Sequence, residues 1–128
     1  MEGSAMRYDP IRGPDVEEWL AAAEGERLLA VQAYHEGAGI RLPRVRAHAV
    51  FHAAAENQLA EGYPGAVRAL TRLTAGGVDR HEAIHAIGSV LLRHMHDLMK
   101  SRAASFDEAA YTRDLDALDP ERWRSDHP

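Results

Sequence analysis

Apolar residues recur along this chain at three- and four-residue steps, and the two-residue alternation of a half-buried strand is nearly absent. Asp15 and Glu18, just after Pro14, form a capping-box signal that opens a first helix. Trp19, Leu20, Ala23, Leu28, Val31 and Tyr34 carry its apolar spacing to about Glu36. Gly25 weakens the middle, since glycine costs about 1 kcal/mol there relative to alanine. The stretch "GAGIRLPR" reads as a connector. A second helix is predicted from about Arg44 to Glu61, stopping at Gly62. A third, short one starts at Pro64 and runs through "AVRALTRLTA" to Gly76 and Gly77. Asp79 caps a fourth that reaches about Lys100, and Ser105 with Glu108 signals a fifth from near Asp107 to Leu118. The tail "DPERWRSDHP" reads as irregular or a single turn.

The expected fold is therefore all-α, a compact helical bundle of four to five helices with short connections and antiparallel neighbours. A length of 128 residues fits one domain, residues 7–128, after a start at 1–6 that reads as a tag remnant or a disordered lead. Composition alters this picture little: 45% of residues are hydrophobic and 27% charged, and no apolar run is long enough to cross a bilayer. A net charge of −5 argues against a general nucleic-acid binder. With no cysteine, disulfides, thiolate metal sites and thiol nucleophiles are excluded together, which fits a cytoplasmic protein. The start "MEGSAMRYD" has no signal-peptide core.

Eight histidines are the compositional oddity, and their spacing matters more than their number. His48, His52 and Glu56 follow one another at four-residue steps on the second helix, so their side chains share one stripe. His81 and His85 repeat that spacing on the fourth. Chance placement would give roughly 0.4 four-spaced histidine pairs, and two are present. Each pair offers two imidazoles to one ion, and histidine is the commonest metal ligand. The fourth helix has Ile84, Ile87, Leu91, Met95 and Leu98 as its core stripe, with His81 and His85 beside it. On the second, Ala47, Phe51 and Ala54 form the apolar arc, with His48 and His52 alongside. Both pairs are thus expected at the border of a core. His35, His94, His96 and His127 read as single side chains with one hydrogen bond each.

The segment "DRHEAIHAIGSV" contains H-E-x-x-H, in which two histidines bind zinc and the glutamate handles a proton of bound water. Glu82 is accordingly the candidate catalytic base. It also fits as the capping-box partner of Asp79, and the two roles stand open together. The longer protease pattern H-E-x-x-H-x-x-G-x-x-H fails, because Leu91 occupies the third ligand position. Further ligands are expected from His48, His52 or Glu56, the last either on the metal or orienting an imidazole. A divalent metal follows as cofactor, zinc first and non-haem iron as the alternative.

Taken together, "VRAHAVFHAAAENQLAEGYPGAVRALTRLTAGGVDRHEAIHAIGSVL" resembles the small bacterial helical proteins catalogued as domain-of-unknown-function family 1841. His48, His52, Gln58, Leu59, Pro64, His81, Glu82, His85 and Gly88 stand at the places of that pattern, over roughly residues 44–100. The family's asparagine-proline lead-in appears here only as Leu42-Pro43. The resemblance implies two histidine helices side by side and no particular substrate.

Remaining signals are bland. Arg41, Arg44, Arg46, Arg68, Arg72, Arg80 and Arg93 read as solvated helix faces, with an anion-binding rim as the alternative. Trp19, Tyr34, Phe51 and Tyr63 read as core or pocket wall. No phosphate loop, serine elbow or dinucleotide fingerprint is present. The functional expectation is a small zinc-dependent hydrolase acting on a small molecule or peptide, with no nucleic acid or membrane partner. The run "LLRHMHDLM" could also pack in a homodimer. A non-catalytic interaction module with a structural metal, or none, is the remaining alternative.

Overall fold

A computed structural model describes residues 6–37, 45–101 and 105–126, with side chains from His48 onward in the second of these stretches. The expectations for residues 1–5, the connector after Gly37, Arg41, Leu42-Pro43, Arg44, the side chains of Arg46 and Ala47, and His127 lie outside the described residues. The fold is all-α, with no strand among the described residues. Among the described residues seven helices follow in order: α1 (Val16–Ala21), α2 (Glu24–Gly37), α3 (Val45–Ala60), α4 (Pro64–Ala75), α5 (Arg80–Ser101), α6 (Glu108–Asp116) and α7 (Pro120–Asp126).

Two differences from the sequence reading raise the helix number. The expected first helix is two helices, because the chain turns extended at Ala22. Side chains make that break stable. The Arg27 guanidinium donates to the Leu20 and Ala22 carbonyls, while Glu26 accepts from the Ala23 amide and caps the start of α2. At the other end, Asp119 accepts from the Arg122 amide and Pro120 takes the first helical position, so the tail forms α7. Asp15 caps α1 as expected. The α6 cap is Asp107, which accepts from the Ala110 amide, in place of the expected Ser105.

The central pair is α3 and α5. Against α3 lie α1 and α2 on one flank, with Trp19, Ala30, Val31, Ala49, Ala53 and Tyr8 enclosed between them. Against α5 lie α4 and α6, around Ala66, Ala69, Ile84, Ile87, Val90, Tyr111 and Leu115. The expected core stripe of α5 holds for Ile84 and Ile87, but Leu91, Met95 and Leu98 are only half-buried and Met99 is exposed. The expected face of α3 is rotated. Phe51 and Ala54 are half-buried, whereas His52 and Glu56 are each 1% exposed. No described helix is long and apolar enough to cross a membrane.

A polar post anchors the N-terminal segment to the central pair. Arg80 at the start of α5 binds both oxygens of Glu56 at 2.7 Å, and Tyr8 donates to the same carboxylate at 2.6 Å. Arg80 also donates to the Pro10 carbonyl at 2.9 Å. A buried carboxylate needs such a complement, since removing one partner of a buried pair typically costs about 3–5 kcal/mol.

Small residues set the spacing of α3 and α5. A Cβ at Gly88 would stand 3.3 Å from the Phe51 carbonyl oxygen, which belongs to helix backbone and cannot swing aside. Alanine there gains about 1 kcal/mol of helix propensity but must push the helices apart, at about 1–3 kcal/mol. Gly88→Ala is therefore expected to lower stability in urea unfolding. A rise equal to the propensity gain would show that the contact yields freely.

Candidate metal centre

Five histidines, rather than four, converge where α2, α3 and α5 meet. His35 comes from the last turn of α2, His48 and His52 from successive turns of α3, and His81 and His85 from the first turns of α5. The His52 ring lies among the other four, with centroid separations of 4.2 Å to His48, 4.8 Å to His35 and to His85, and 5.2 Å to His81. Around it the sequence of neighbours closes: His35 to His48 is 4.8 Å, His48 to His85 4.5 Å, His85 to His81 6.2 Å and His81 to His35 5.5 Å. Tyr34 stands edge-on to both His35 and His81 and walls the cluster on that side.

Hydrogen bonding shows which atoms face inward. His35 Nδ1 lies 2.8 Å from the Val31 carbonyl, an acceptor only, so Nδ1 carries the proton and Nε2 holds the lone pair. Metal-ligating histidines are oriented in this way by a carbonyl behind the ring. That Nε2 is buried without a partner, as are His48 Nε2, His81 Nε2 and both nitrogens of His52. A buried unsatisfied polar atom costs about 1–3 kcal/mol. To find several pointing at one another is what a set of ligands looks like, and the residues fit a divalent ion. The candidate ligand atoms fall into two groups, His35 with His52 and His81, and His48 with His52 and His85, each within 4.8 Å internally.

Three of these histidines are held toward the neutral form. Burial pushes the His52 imidazolium down to about 2, with repulsion from His48, His85, His35 and His81 adding to it. Burial likewise brings His48 to about 4, assisted by His85, His35 and His81. His81 is also lowered, by burial, then His35 and His85, while Asp79 and Glu82 pull it upward. The α5 N-terminus, whose dipole disfavours an imidazolium, works in the same direction. Neutral imidazole is the metal-binding form.

The other candidate residues separate clearly. Glu56 is not in either group; Arg80 and Tyr8 occupy its oxygens. The expectation that it ligates a metal or orients an imidazole gains no support, because its carboxylate is paired with the Arg80 guanidinium and Tyr8. Arg80, expected on a solvated face, is thus a half-buried structural partner. Glu82 fits neither of its two roles completely. Asp79 caps α5 by accepting from the Glu82 amide at 2.8 Å, yet the Glu82 carboxylate accepts from Trp123 Nε1 at 3.3 Å instead of closing a capping box. It lines a cleft with His85, Ser89 and Trp123, so a carboxylate and a cluster histidine share one opening.

His94 pairs with Asp114 at 2.6 Å, as expected of a single histidine, whereas His96 is exposed and 3.9 Å from Asp97. His35 makes its one hydrogen bond, to the Val31 carbonyl, but its place in the histidine cluster was not expected. Its signal was a four-residue stripe, Arg27, Val31 and His35, whose members are all buried on α2. The chain matches no family model, and neither the curated proteins nor the solved structures contain a significant match to it.

The depressed imidazoles make stability depend on pH when no metal is bound. Unfolded, these histidines take up protons near pH 6.5; folded, they resist until far lower. The unfolded chain therefore binds more protons in that window, and stability, full above about pH 6.5, falls as the pH drops toward 4. His52 alone would contribute a slope approaching about 1.4 kcal/mol per pH unit. Urea unfolding of chelator-treated protein from about pH 7.5 to 5 is expected to show this decline. A flat profile would mean that the imidazoles are solvated.

Proposed function

We propose that this protein is a helical metalloprotein that binds zinc through the histidines of α2, α3 and α5 and uses the Glu82 side of the site for hydrolysis. The observation that carries the metal is the set of buried, unpartnered ring nitrogens on four histidines. An all-imidazole donor set suits zinc. Iron sites of the two-histidine, one-carboxylate kind need a free carboxylate, and Glu56 is committed to Arg80 and Tyr8.

What supports hydrolysis is the cleft. His48, His52 and His85 make three protein ligands, the number that catalytic zinc sites use, and His85 also borders the opening. A zinc ion held by these residues would supply Lewis acidity, with bound water ionising at about pH 7. Glu82 would take that proton and return it to the leaving group, while its bond from Trp123 fixes the carboxylate's direction. Trp123 offers an apolar wall and Ser89 a hydroxyl at the same opening, which fits a small acyl or peptide substrate.

Protein purified without a histidine tag is expected to contain zinc, and chelation should lower its melting temperature on the order of 10 °C. Glu82→Gln should keep the metal while p-nitrophenyl acetate hydrolysis falls at least about 100-fold. Trace metal together with an unchanged melt in chelator would remove the metal reading. Equal hydrolysis by Glu82→Gln would remove the base.

A further inference from the structure

The geometry points to two metal ions bridged by His52, and this rests on the zinc-site reading above. Two observations carry it. His52 belongs to both candidate ligand groups, and both of its ring nitrogens are buried without a partner. An imidazole that serves one ion uses one nitrogen and directs the other at an acceptor, as His35 does with the Val31 carbonyl. Both nitrogens of the His52 ring are instead buried without an acceptor, in a ring that two candidate ligand groups share.

Spacing agrees. Ions on the two nitrogens of one ring would lie roughly 6 Å apart, two zinc–nitrogen bonds of about 2.1 Å plus the ring's width. His81 and His85, one in each group, stack nearly parallel at 9° with centroids 6.2 Å apart. They occupy successive turns of α5, whose pitch of about 5.4 Å sets that separation. One helix thus presents a ligand to each ion at the interval that the bridge demands. Five histidines around a single ion would instead have all five ligand atoms in one group, whereas here they divide into two.

The two positions are unequal. The group of His35, His52 and His81 has two fully buried members and is walled by Tyr34, so its ion is structural and orients the bridge. The group of His48, His52 and His85 includes the cleft residue and is the reactive side. Neutral His52 carries one ring proton. The first ion takes the free lone pair; the second replaces the N–H proton, which passes to solvent, so the ring binds as imidazolate. No electron is transferred.

The test uses full-length protein freed of metal and loaded with zinc, or with copper(II) as a magnetic probe. Two equivalents of zinc per chain are expected, and two of copper whose electron paramagnetic resonance intensity at liquid-helium temperature is far below the copper content, because an imidazolate bridge couples the spins. His35→Gln and His85→Gln each remove a ligand from one side only. Either variant, with its helical circular dichroism intact, should hold one ion, and its copper signal should recover full intensity. One equivalent in the wild-type chain would overturn the bridge while leaving the zinc site standing. Two equivalents with full, uncoupled intensity would also overturn it. No bound ion would overturn both readings.

Discussion

Where α3 crosses α5, the Phe51 backbone comes so near Gly88 that a methyl group there would stand 3.3 Å from a carbonyl oxygen. Phe51 lies between His48 and His52, and Gly88 follows His85 by less than one turn. The contact therefore fixes the separation of the two histidine stripes at their own level along the helices. A bulkier residue would spread the imidazoles, and with them any geometry that depends on bonds of about 2 Å. The α2 helix completes the enclosure by bringing His35 and Tyr34 against the same level.

Charge is partitioned to match. The buried carboxylate of Glu56 sits one turn beyond His52, where it would draw protons onto the imidazoles, yet its charge is balanced by Arg80 and its oxygens are filled. His48, His52 and His81 are left with depressed imidazolium forms, and ring nitrogens of His35, His48, His52 and His81 are buried without partners. Burying so many polar atoms without partners is unfavourable in a fold stabilised by only about 5–15 kcal/mol. A bound cation would reverse the sign of that contribution, because each lone pair would become a bond. On the proposed reading, folding and metal binding would be coupled through the same nitrogens.

Much of this was legible in the sequence. The helix periodicity and caps gave the all-α class and placed α3, α4 and α5 within a residue or two. Four-residue spacing singled out His48, His52, His81 and His85. What the sequence withheld were relations across helices. The break at Ala22 depends on Arg27 reaching back to two carbonyls, a contact that local propensity does not encode. Glu56 shares the stripe of His52, so spacing alone could not tell a ligand from a partner of Arg80. His35 has no four-spaced histidine, and only its register with buried Val31 placed it on an inward face. Arg80 looked like one more surface arginine because its partners lie far away in sequence.

The most direct test of the proposed metal centre is X-ray absorption at the edge of any metal that copurifies with untagged protein. The expected spectrum has a nitrogen shell at about 2.0–2.1 Å with the multiple-scattering pattern of several imidazoles. That pattern should weaken in His52→Ala. A shell dominated by oxygen with no imidazole scattering, or the absence of bound metal, would contradict a histidine-built site.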